Sequence, residues 1–124
     1  MGIDVYLKWT DMTKGDKQAE ITGFDIYKGD VGYLREAYHG GPYATEVLVS
    51  ENWDKQPKGG FAIANSVLQE RLPLVVATAK ARAKLIYKAQ TEEQDMTAQA
   101  FIDFVAFHKE KEDAGLNPKI VISA

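Results

Sequence analysis

The sequence predicts an α+β fold, a small mixed or antiparallel sheet with a two-helix hairpin from the second half of the chain packed on one face. Three observations lead there. Ile3, Val5, Leu7 and Trp9 alternate with Asp4, Tyr6, Lys8 and Thr10, the period of a half-buried strand. Leu68, Leu72, Val75, Ala79, Ala83 and Ile86 recur at spacings of three and four, as on one face of a helix, and Phe101, Phe104, Val105 and His108 mark a second such face. The C-terminal KIVIS is too rich in β-branched residues for anything but a strand.

In chain order, the strand over 3–9 is followed by the polar DMTKGDKQ, whose Gly15 reads as a loop, and by ITGFDIY, a short extended or turn-containing segment. Residues 31–39 suit a helix and a strand equally. Asp30 is a fitting helix cap and Gly40 and Pro42 a fitting stop, whereas Tyr33, Tyr38, Val47 and Val49 favour strands. Pro42 fits the second position of a type I turn over Gly41 to Ala44, and a strand is expected from Thr45 to Ser50. GGFAIA reads as a short strand. A helix capped by Asn65 or Ser66 then runs to about Gln90, with a kink or break near Arg71 and Leu72 because Pro73 removes a hydrogen bond. The acidic TEEQD is expected to link it to a helix from about Met96 to Ala114. Gly115 supplies the left-handed end, Leu116 closes it, and Asn117-Pro118 turns the chain into the last strand.

A chain of 124 residues, 45% hydrophobic and 27% charged, is read as one globular domain over 1–124. The net charge of −3 gives no global attraction to nucleic acid or an anionic membrane. Without cysteine there is no disulfide, no thiolate nucleophile and no cysteine-based metal site. The start is strand-like and not a secretory signal, and the longest apolar run, LPLVVATA, falls short of the ~20 residues of a membrane span. A soluble, cytoplasmic protein is expected. The β-branched last strand is an edge open to pairing, so a homodimer is expected as well.

Lys80, Lys84 and Lys88 form one basic line, with Arg71 and Arg82 nearby, but no aromatic side chain interleaves it to stack bases, which argues against nucleic acid. The glycines of TKGDK and QPKGGF lack the sequence of a phosphate-binding loop, and no cofactor fingerprint is present. No metal-binding spacing joins His39 or His108 to the carboxylates. His108 belongs to the apolar stripe of its helix, so a packing role is expected for it.

The chemistry-bearing stretch is Tyr38–Tyr43, YHGGPY, preceded by Arg35 and Glu36. Arg35, Glu36, Tyr38, His39 and Tyr43 offer an anion clamp, a general base and hydrogen-bond donors beside bare glycine backbone. They are the candidate ligand-binding residues. The sequence assigns no specific function. It favours a small soluble intracellular binding or accessory protein without catalytic activity, acting through its sheet face or the YHGGPY loop. The rival is a small enzyme or ligand-binding protein that uses Arg35, Glu36 and His39 on an anionic small molecule.

Overall fold

The computed structural model describes residues 2–22, 31–37, 42–55, 57–87 and 91–123. Three strands, β1 (Gly2–Lys8), β2 (Tyr33–Ala37) and β3 (Lys119–Ser123), form an antiparallel sheet in the order β2-β1-β3. The helices are α1 (Lys14–Thr22), α2 (Ala44–Val49), α3 (Asn65–Tyr87) and α4 (Thr91–Asp113), with one 3-10 turn at Ser50–Asn52. The last two pack as a hairpin against the sheet, so the fold is α+β.

The core lies where the alternating face of β1 meets the helical stripes. Ile3, Val5 and Leu7 are fully buried, as are Leu34 from β2 and Ile120 from β3. From the helices come Leu68, Val75 and Ala79, then Ala100, Phe101, Phe104 and Val105. Each buried aliphatic or aromatic side chain contributes on the order of 1.5–3 kcal/mol. The next residues along β1, Asp4, Tyr6 and Lys8, point to the opposite face because side chains alternate across a strand.

Residues 33–37 form a strand, which settles that part of the ambiguous stretch; Tyr38 and His39 lie outside the described residues. Four expectations are corrected. DMTKGDKQ is not a loop throughout, because α1 begins at Lys14. Thr13 starts it: its hydroxyl accepts the Asp16 N–H at 3.0 Å while the Asp16 carboxylate accepts the Thr13 N–H at 2.9 Å, a reciprocal capping box with Asp in place of Glu. TEEQD is not a linker but the opening turns of α4, where acidic residues are favoured by the helix dipole. In GGFAIA only Phe61 pairs, as an isolated bridge to Ile120. Gly60 lets the backbones approach, since a Cβ there would lie 2.7 Å from the Ile120 carbonyl oxygen. The fourth correction, a helix where a strand was expected after Thr45, depends on Glu36 and is taken up below.

One helix, α3, runs through Pro73 without a break. α4 ends as its sequence dictates. Gly115 takes φ +73°, its N–H donates to the Glu112 carbonyl, and the Leu116 N–H donates to that of Lys111.

His108 is fully buried on the α4 stripe. Asn65 joins it to α3: its Nδ2 lies 3.0 Å from His108 Nδ1 and donates to the Val105 carbonyl at 2.9 Å. Nδ1 therefore accepts and the ring proton sits on Nε2, which has no hydrogen-bond partner among the described residues. Burial pushes the imidazole pKa below its ordinary 6.5, and the charge of Glu112 and the Ile63 backbone oppose this more weakly. A second proton would have to occupy Nδ1 and break the contact with Asn65.

Above pH 6.5 the ring is neutral in both folded and unfolded chains; below it the unfolded chain takes up the proton first, so stability is lost as pH falls toward the lowered folded value. Urea denaturation between pH 7 and pH 5.5 is expected to show a decline of up to about 1.4 kcal/mol per pH unit from this group. His108→Gln is expected to flatten that part of the profile, and an unchanged slope would contradict the buried neutral ring.

Candidate functional site

Residues 38–41 connect β2 to α2, and the structure describes both ends of the connection. Arg35 and Glu36 are consecutive on β2 and so leave it on opposite faces. The strand thus separates two residues that the sequence places together.

Arg35 lies on the face away from α3 and α4. It stands opposite Asp4 in the β1–β2 register, with Nε 3.5 Å from Oδ1, and its side chain is one-third exposed. Asp4 also accepts the Tyr33 hydroxyl at 2.7 Å. Burial, together with that hydrogen bond and the Asp4 charge, drives the Tyr33 pKa well above the ordinary tyrosine value. Tyr6 packs beside it with ring centroids 5.1 Å apart. The outer sheet face therefore carries one arginine amid a tyrosine–aspartate network.

Glu36 points to the interior. Its two carboxylate oxygens accept the N–H groups of Ala44 and Thr45 at 2.8 and 2.9 Å, and Arg82 Nε lies 3.0 Å from Oε2. Both charged side chains are about nine-tenths buried. This explains the helix at residues 44–49 despite the strand-like TEVLV. Tyr43 occupies the cap position and makes no side-chain cap bond, so the orphan amides of the first turn go to a carboxylate on the neighbouring strand. Ala44, Thr45, Leu48 and Val49 then bury against α3.

Sequence reasoning missed the part played by the two arginines of α3. Arg82 holds the start of α2 through Glu36 and also donates to the Pro42 carbonyl at 3.4 Å. Its guanidinium lies 4.5 Å from the Tyr43 ring centroid, and Tyr43 in turn packs on Trp53 at 5.6 Å. Arg71 holds the other end, donating to the Leu48 carbonyl at 2.9 Å and pairing with Glu51 at 3.1 Å. These contacts cross from one half of the chain to the other, and no local pattern announces them. Beside the arginines, Lys80 is half-buried and Lys84 exposed, while Lys88 lies outside the described residues.

A separate open groove of about 460 Å³ lies at the other end of β1, lined by Lys8, Trp9, Thr10, Asn117 and Lys119. Lys8 and Lys119 face each other across the strands, but the Lys8 ammonium already sits 2.7 Å from Glu20. Among the described residues that leaves Lys119 as the groove's uncommitted cation, a weak hold for an anionic group.

Among the described residues no cluster of His, Asp and Glu could hold a metal ion, and no helix is long and apolar enough to cross a membrane. Compared with known proteins, the chain matches no family model, no curated protein and no solved structure.

Removing one partner of a buried ion pair strands the other, at a cost of about 3–5 kcal/mol. Glu36→Ala is expected to destabilise by that amount, because it strands Arg82 and uncaps α2 together. Arg82→Met should cost less, about 1–3 kcal/mol, since Glu36 keeps its two backbone donors. Urea melts followed by circular dichroism measure both; a loss under ~0.5 kcal/mol for Glu36→Ala would show that the carboxylate holds nothing.

Proposed function

We propose that the protein is a small binding or accessory module without catalytic activity, and that it engages its partner through the outer sheet face and the adjoining YHGGPY loop. The observation behind this reading is that Glu36 pins both ends of the loop: it is part of the strand that enters the connection, and it caps the helix that leaves it. Rigid elements that hold the ends of a loop are the usual means of presenting contact residues. Arg35, at the loop's entry and one-third exposed on the sheet face away from α3 and α4, is the anchor. Tyr38 and His39 come three and four residues after it, and Tyr43 stands at the exit.

An enzymatic role for Arg35, Glu36 and His39 would ask Glu36 to transfer a proton. Both its oxygens accept backbone N–H groups and one faces Arg82, an environment suited to a fixed charge and poor for a general base.

The test separates binding from stability. The partly exposed Arg35–Asp4 pair is worth about 0–1 kcal/mol, so Arg35→Ala should lower the melting temperature by only a few degrees. His39→Ala, in the glycine-containing YHGGPY stretch, is expected to cost about 0.5 kcal/mol or less. Immobilised wild-type protein, Arg35→Ala and His39→Ala are compared for what each retains from an extract of its own cells, identified by mass spectrometry. The reading expects a component held by the wild type and lost from both variants while the fold persists. Equal retention by all three forms would overturn it.

A further inference from the structure

Leu74 and Leu85 are 62% and 81% exposed, the most exposed large apolar side chains among the described residues. A single exposed leucine is ordinary. These two share one face of α3, since eleven residues at 100° each return to within about 20° of the starting direction, ~16 Å along the axis. Between them on that face stand Ala77, Thr78 and Ala81. The Thr78 hydroxyl donates to the Leu74 carbonyl at 2.7 Å, which settles its polar group inside the helix. The strip therefore runs without a charge, and it lies opposite the stripe of Leu68, Val75, Ala79 and Ala83 that the core uses. Its ends are oppositely charged, with exposed Glu70 toward the N-terminus and exposed Lys84 toward the C-terminus.

We propose that this face of α3 docks a second copy of the chain, the two helices running antiparallel about a two-fold axis near Ala77 and Thr78. A two-fold interface uses the same patch on both copies, so the patch must complement itself. This one does when antiparallel. Leu74 of each copy lies over the small Ala81 of the other, and Glu70 of each faces Lys84 of the other; the two pairings are centred within half a residue of each other, at Ala77 and Thr78. A parallel arrangement would instead set Glu70 against Glu70 and Lys84 against Lys84. The last strand is a poorer route to a dimer, because Phe61 already bridges its edge at Ile120.

The strip from Glu70 to Leu85 is ~22 Å long and about one helix wide, well under the ~800 Å² per partner of a stable complex. Self-association is accordingly weak, with a dissociation constant between roughly 10 µM and 1 mM.

Sedimentation equilibrium of the full chain up to about 1 mM tests this. Wild-type mass is expected to rise toward that of a dimer, and Leu74→Ser/Leu85→Ser to remain a monomer with an unchanged circular dichroism spectrum. Glu70→Lys should weaken the dimer several-fold, and Glu70→Lys combined with Lys84→Glu should restore it. A monomeric wild type at the highest concentration, or a dimer that survives the double leucine substitution, would overturn the proposal. Failure of the charge exchange to restore association would overturn the antiparallel arrangement.

Discussion

The carboxylate of Glu36 is the point at which β2, α2 and α3 meet. It leaves the strand toward the interior, receives the first free amides of α2 and lies against Arg82 of α3. Taking a carboxylate and a guanidinium out of water costs several kcal/mol each, and the attraction offsets that only when the remaining hydrogen-bonding capacity is met. Here it is met by two backbone donors, by the positive end of a helix and by the Pro42 carbonyl on the arginine side. Dependence runs the other way as well. A six-residue helix of strand-favouring composition has no stability of its own, so α2 exists through this cap and the burial of Leu48 and Val49.

The two arginines of α3 extend the arrangement. Arg82 works at the start of α2 and Arg71 at its end, so the long helix grips the short one at both termini. These contacts fix both ends of the connection between β2 and α2. Arg35, one residue from Glu36 and on the other side of the sheet, is thereby held beside the loop but out of reach of the carboxylate. The strand thus keeps Arg35 and Glu36 from acting on the same group.

Patterns that repeat along the chain were legible. The alternation of Ile3 to Trp9, the stripes ending at Ala83 and His108, and the Gly115 terminus each correspond to what forms, because burial of one face is a local property of spacing. What could not be read was decided at a distance. TEVLV carries the composition of a strand, and a carboxylate on another element, together with burial against α3, makes it a helix. Thr13 and Asp16 were legible in principle, since a threonine followed three residues later by an acid is a capping signal, but Gly15 between them reads more strongly as a loop. Of the candidate site, the sequence placed Arg35 and Glu36 together, whereas they leave β2 on opposite faces. Adjacent residues on a strand face opposite ways, and the sequence left residues 31–39 open between helix and strand.

Amide hydrogen exchange at Ala44 and Thr45 tests the place of Glu36 most directly. Both N–H groups lie in the first turn of α2, where the helix itself offers them no acceptor, so the hydrogen bond behind their protection is the one to the carboxylate. If Glu36 clamps the structure, the two amides exchange nearly as slowly as the core of β1, and only when the fold opens. Exchange at the rate of an unprotected chain would contradict the account, whatever the rest of α2 shows.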